Sequence, residues 1–170
     1  MCGIAGIVSL NNQPIKNLKR RSEKMLSSLD TRGPDNSGYW LNEKHTLSII
    51  NTRLSIVGVN DKFDVPFISS SKKSILSFNG EIYNYLDIAK KIRSAGKVLQ
   101  YHSDTEVLAE VLEMHDISFL DQLDGFWSFA FFNQIENNLI LSRDLMGEKS
   151  LYYLKTKDEL IFCSEIILEI

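Results

Sequence analysis

The run Trp127-Ser128-Phe129-Ala130-Phe131-Phe132 constrains the fold more than any other stretch of this chain. It sits in an expected strand over residues 126–132, and successive strand residues point to opposite faces, so aromatic rings project from both sides. Such a strand is buried on both faces, against helices or a second sheet. The 170 residues are enough to meet that demand within one domain covering residues 1–170. A domain near this size hides roughly two-thirds of its unfolded surface.

The other periodic segments say what could do the covering. Ile15, Leu18, Met25, Leu26 and Leu29 fall on one face of a helix, with Lys16, Lys19, Arg20, Arg21 and Lys24 mostly on the other, read as a solvated face. Leu86, Ala89 and Ile92 step by three within residues 85–93 and predict a second helix stopped at Gly96. A third helix opens at Ser103-Asp104-Thr105-Glu106, where Ser103 and Glu106 have capping-box spacing ahead of the apolar Val107, Leu108, Val111 and Leu112. Its first turn should present unpaired N–H groups.

Strands are expected over residues 3–8, 39–41, 45–51, 73–78, 126–132, 139–142, 150–154 and 160–163, with residues 31–38 and 60–66 as loops. The strand over 73–78 runs into Asn79-Gly80, a strong hairpin signal. Helices between two groups of strands give an α+β layered domain.

Composition excludes several classes. A formal charge of −3 with 24% charged residues offers no electrostatic case for nucleic acid or an anionic membrane. No stretch approaches the roughly 20 apolar residues of a membrane span, and the start of the chain lacks a secretion signal. The cytoplasm, which keeps thiols reduced, is the default compartment. Cys2 and Cys163 are the only cysteines, too few for a disulfide framework or a thiolate zinc site. His45, His102 and His115 lack partners at ligand spacing, so no metal site is expected, and Cys163 reads as a small buried apolar residue.

Against this ordinary background, Cys2 stands directly behind Met1. Removal of Met1 would give Cys2 a thiol and a free α-amine, a nucleophile carrying its own base. An unperturbed α-amine has a pKa of roughly 8, so a usable fraction is neutral near pH 7. Taken singly, Asn79-Gly80 could be a hairpin turn, Asp104 a favourable charge in a first helical turn, and Arg53 a surface charge at a strand end. Together they supply a nucleophile, an amide and N–H pair for an oxyanion, a guanidinium for a carboxylate, and a carboxylate for an ammonium. That is the inventory for hydrolysing an amino-acid side-chain amide.

Cys2-Gly3-Ile4, Arg32-Gly33-Pro34-Asp35, Arg53-Leu54-Ser55-Ile56, Asn79-Gly80-Glu81-Ile82-Tyr83-Asn84, Ser103-Asp104-Thr105-Glu106 and Arg143-Asp144 with Gly147, Lys149 and Leu151-Tyr152-Tyr153 appear in one order along nearly the whole chain. In that order and spacing they resemble the class II glutamine amidotransferases, most closely the glutaminase domain of asparagine synthetase. The resemblance implies an N-terminal-nucleophile hydrolase fold, a four-layer αββα sandwich of two antiparallel sheets. It makes Cys2 the nucleophile, Asn79 and Gly80 the oxyanion-hole pair, Arg53 the grip on the substrate α-carboxylate, and Asp104 and Glu81 the acceptors for its α-ammonium. Family members commonly have histidine at the positions of Thr31 and Asn51, and isoleucine and proline at those of Glu148 and Ser150.

The implied reaction is hydrolysis of glutamine to glutamate and ammonia through a γ-glutamyl thioester on Cys2. No cofactor is expected within residues 1–170. ATP and Mg belong to the synthetase domain or subunit that would receive the ammonia, and the chain stops about where such a domain would begin, its last residues including the apolar Ile166-Ile167-Leu168. Two other readings stay open: a glutamine-binding module without turnover, if Met1 is retained, and an N-terminal-cysteine hydrolase for another amide. The ammonia acceptor and the oligomeric state stay open as well.

Overall fold

The structure, a computed structural model, describes residues 1–54 and 64–166. Most of the expected loop at 60–66, the motif residues Ser55 and Ile56, and Ile167 and Leu168 lie outside the described residues. Along the chain come β1 (Gly3–Ser9), α1 (Leu18–Ser28), β2 (Asn36–Leu41), β3 (Leu47–Arg53), β4 (Phe67–Ile68), β5 (Ser74–Ile82), α2 (Tyr85–Ser94) and α3 (Asp104–His115). A 3₁₀ turn (Asp116–Gln122), β6 (Gly125–Asn133), β7 (Asn138–Arg143), β8 (Tyr152–Lys155) and β9 (Glu159–Cys163) complete it.

One sheet has the order β2-β3-β1-β9-β8 and the other β4-β5-β6-β7, with the strand pairs antiparallel. The strand alternation sorts side chains into layers. Ala5, Ile7, Ile50 and Ile161 pack under Leu18, Met25 and Leu29 of the first helical segment. On the reverse of the same strands, Leu47 and Ile49 meet Ile75 and Phe132 of the second sheet. The far face of that sheet carries Phe78, Phe129 and Phe131 against Ile88, Ile92, Val107, Leu108 and Val111 of α2 and α3. The layers therefore run helix, sheet, sheet, helices.

Strand β6 meets the demand placed on it by using both kinds of cover. Phe129 and Phe131 face the helices, Phe132 faces the opposite sheet, and all three are buried. Burying a phenylalanine fully is worth about 1.5–3 kcal/mol, so this strand helps fasten its sheet both to the helices and to the opposite sheet.

Asn79-Gly80 departs from the hairpin expectation. Both residues lie inside β5, which continues to Ile82 and pairs with β6 along its length, Asn79 opposite Ser128 and Gly80 opposite Trp127. Glycine is needed here for close approach: a Cβ on Gly80 would stand 2.3 Å from the Phe126 carbonyl oxygen. The turn signal is outweighed by a long-range ladder.

The expected strand at 150–154 shifts to β8, and Ser150 instead donates its hydroxyl to the Ser164 carbonyl. Within the basic face of α1, Arg21 forms a bidentate pair with Glu159 at 2.7–2.8 Å. Ser103 caps α3 by accepting the Glu106 N–H, as its spacing predicts. The Glu106 carboxylate also accepts the N–H groups of Gln100 and Tyr101, fixing the loop that enters the helix.

Candidate active site

Cys2, Arg53, Asn79, Gly80, Glu81 and Asp104 all line one cavity of about 100 Å³ at an end of the inter-sheet layer. They come from the start of the chain, the end of β3, the last half of β5 and the first turn of α3. The register β1 to β3, Gly3 opposite Thr52, brings residues 2 and 53 together. Strand alternation puts Asn51 and Arg53 on one face of β3, and Asn79 and Glu81 on one face of β5.

The Cys2 thiol sits beside the chain end of β3: the Leu54 N–H donates to Sγ at 3.4 Å. Burial raises the thiol pKa above its ordinary value, and the Leu54 contact, the amino-terminal charge and Arg53 oppose that rise, with Asp104 adding to it. Cationic neighbours are the arrangement that favours a thiolate over a thiol. Both cysteines are free, and Cys163 is buried in the layer under α1.

Asp104 is 5% exposed, and burial pushes its carboxyl up to about 6 against the lowering pull of the Ile82 and Thr105 N–H groups, with Glu81 adding a further upward push. The Ile82 N–H donates to its Oδ2 at 3.2 Å, which orients the carboxylate toward the cavity wall formed by β5. Arg53 is also buried. Guanidinium and carboxylates therefore line one cavity, the pairing of charges that a zwitterionic amino acid requires.

Asn79 is 2% exposed, and among the described residues its Nδ2 has no hydrogen-bond partner. A buried donor left unpaired costs about 1–3 kcal/mol, so this amide carries unused hydrogen-bonding capacity at the cavity wall.

Several participants are not singled out by sequence. Asn51 lines the cavity and donates its Nδ2 to the Gly3 carbonyl at 2.8 Å, holding β1 beside β3 next to Cys2. Its signal is a polar residue in an apolar strand, two positions before Arg53. Arg32 belongs to a motif that gives it no role; its Nε donates to the Cys2 carbonyl at 3.0 Å and its Nη1 pairs with Glu165 at 2.7 Å. The Met1 amine donates to the Arg32 carbonyl at 3.0 Å, so the chain terminus is tied down twice. Lys149 stands at the cavity with Nζ 4.5 Å from the Phe126 ring centroid.

The loop bearing Lys149 is shaped by buried Asp144, whose carboxylate accepts the N–H groups of Trp127, Glu148 and Lys149. Burial alone would raise the Asp144 pKa; those N–H groups outweigh it and hold the carboxyl below its ordinary value. Among the described residues, no group of three or more His, Cys, Asp and Glu side chains is placed to hold a metal ion, and no helix is long and apolar enough to cross a membrane.

The family model for the glutamine amidotransferase domain matches residues 1–168. Asparagine synthetase [glutamine-hydrolyzing] 2 of Bacillus subtilis is 34% identical over 98% of this chain and 22% of its own length. A putative asparagine synthetase 2 of Methanocaldococcus jannaschii is 28% identical over 98% of this chain and 34% of its own. The chain thus spans about a quarter of the length of the curated relatives it matches. Among solved structures, glutamine phosphoribosylpyrophosphate amidotransferase from B. subtilis, complexed with ADP and GMP, superposes with a TM-score of 0.75 at 20% identity over 96% of this chain and 42% of that one. That likeness shows the fold, an αββα sandwich. With the family pattern running from residue 1 to 168 over that sandwich, the chain belongs to the glutamine amidotransferase domain family.

Proposed function

We propose that this domain hydrolyses the side-chain amide of glutamine and supplies the ammonia to an ATP-dependent amide-forming unit. The observation that carries the reading is the convergence of Cys2, Arg53, Asn79, Gly80, Glu81 and Asp104, distant in sequence, on one small cavity. Arg53 takes the α-carboxylate, and Asp104 with Glu81 takes the α-ammonium. The carboxamide then lies toward Cys2.

Once Met1 is removed, the neutral α-amine of Cys2 accepts the Sγ proton and Sγ attacks the carboxamide carbon. Asn79 Nδ2 and the Gly80 N–H receive the oxyanion, a contribution of several kcal/mol. The protonated amine returns its proton to the leaving nitrogen, which departs as ammonia, leaving a γ-glutamyl thioester. Water, deprotonated by the same amine, attacks the thioester, and glutamate leaves as the thiol is restored. Asparagine synthesis is the favoured use of the ammonia, because relatives named glutamine-hydrolysing asparagine synthetases match nearly the whole chain. The receiving unit corresponds to the greater part of those relatives that this chain does not span.

The test uses protein whose loss of Met1 is verified by intact mass. It should release ammonia and glutamate from glutamine, and Cys2→Ala should release neither while still binding glutamine. Turnover by the Cys2→Ala protein sinks the nucleophile. Binding without turnover in the processed protein makes this a docking module, and a substrate panel without preference for glutamine overturns the substrate.

A further inference from the structure

We infer that Ser128 is a positioning residue for the Asn79 carboxamide, fixing the orientation in which that amide meets the developing oxyanion. The inference rests on the glutaminase reading for its catalytic consequence, and on the β5–β6 pairing for its geometry. Asn79 and Ser128 are directly opposite in the antiparallel ladder. Ser77, on the same face of β5, donates its hydroxyl to the Ile50 carbonyl of the other sheet, so this face is the inter-sheet one. Asn79 forms part of the cavity wall, while Ser128, at 0% exposure, lies behind it.

Among the described residues, Asn79 Nδ2 and Ser128 Oγ are the two buried side-chain polar atoms without a hydrogen-bond partner. Two unpaired polar atoms on facing residues form one unfinished contact. Opposed residues on adjacent strands hold their Cβ atoms about 4.5–5.5 Å apart, so a small side-chain rotation brings amide and hydroxyl to about 2.9 Å. The neighbouring donors are already engaged: Asn51 Nδ2 with the Gly3 carbonyl and the Ser77 hydroxyl hydrogen with that of Ile50.

The amide carries two N–H hydrogens, and the serine hydroxyl can accept one while donating its own elsewhere. With one Nδ2 hydrogen on Ser128 Oγ, the other points into the cavity. The terminal torsion of an asparagine is broad, so packing alone leaves the plane of the amide loosely set. A hydrogen bond from Nδ2 to the Ser128 hydroxyl fixes that torsion.

The test compares processed wild type, Ser128→Ala, Asn79→Ala and the double variant for glutamine turnover, with the Asn79 side-chain amide followed by NMR. Losing an oxyanion donor outright costs about 10²–10³ in kcat, so losing only its orientation should lower kcat about tenfold with KM for glutamine unchanged. The double variant should be no slower than Asn79→Ala alone. In Ser128→Ala the Asn79 NH₂ resonances should move. A kcat within twofold of wild type, a double variant in which the two losses multiply, or unmoved resonances would each overturn the inference. Should wild type release no ammonia, the glutaminase reading fails, and the NMR comparison still decides whether Ser128 holds the amide.

Discussion

Replacing Asp104 by asparagine should make the protein more stable and a worse glutamine binder, and the size of the first effect follows from one buried carboxyl. Burial moves that carboxyl from the ordinary 3.8 to about 6. Folded protein therefore holds this proton more tightly than unfolded chain does. Between about pH 4 and 6 the native state binds more protons, so this group's contribution to stability falls as pH rises through that window. Above pH 6 the full cost of keeping the carboxylate buried is present, about 3 kcal/mol at 1.36 kcal/mol per pH unit. It is relieved as pH falls toward 4.

Asp104→Asn removes the charge and keeps the shape at the start of α3. Its stability gain over wild type should be about 3 kcal/mol at pH 8, near 6–12 °C in melting temperature for a chain of this length, shrinking toward zero at pH 4. Paired urea titrations of the two proteins across pH 4 to 8 measure that difference directly. A gain that is flat with pH, or a loss at pH 8, would refute the burial account of Asp104. In the same variant KM for glutamine should rise about 10- to 100-fold, because a hydrogen bond to a charged partner is lost while Glu81 remains. For wild type, KM should climb as pH drops below 6 and Asp104 takes up its proton.

Arg53→Ala should raise KM for glutamine by about 30- to 150-fold, the loss of a charge-assisted contact worth about 2–3 kcal/mol, with a smaller change in kcat. A normal KM removes Arg53 from the carboxylate site. Gly80→Ala should cost at least about 2 kcal/mol of stability, since its Cβ would collide with the Phe126 carbonyl of the paired strand at 2.3 Å. Chemical denaturation showing wild-type stability for that variant would mean that the β5–β6 spacing is not what demands glycine.

Much of the covering scheme is legible in the sequence. The rings on both sides of residues 126–132 require two covered faces, and α2 and α3 cover one while the opposite sheet covers the other. Ser103 announces the start of α3 and caps it. Cys2 behind Met1 is visible as a chemical device from two letters of sequence. These features depend on neighbours a few residues away, through periodicity, caps and chain position, and such information is local.

Asn79-Gly80 shows where local information fails. The pair has the chemistry of a tight turn, yet β5 continues through it because β6 offers a partner residue at each position from Ser74 to Ile82. The same pairing turns Asn79 toward the cavity, sets Ser128 behind it, and makes glycine necessary at position 80 for reasons of contact. Asn51 and Arg32 become site residues only when β1 is laid beside β3 and the Arg32 guanidinium reaches the Cys2 carbonyl. Sequence by itself determined which chemical groups the domain owns and roughly where its helices and most of its strands lie. The tertiary structure decided which groups meet, because strand register acts over separations that no window of neighbouring residues can contain.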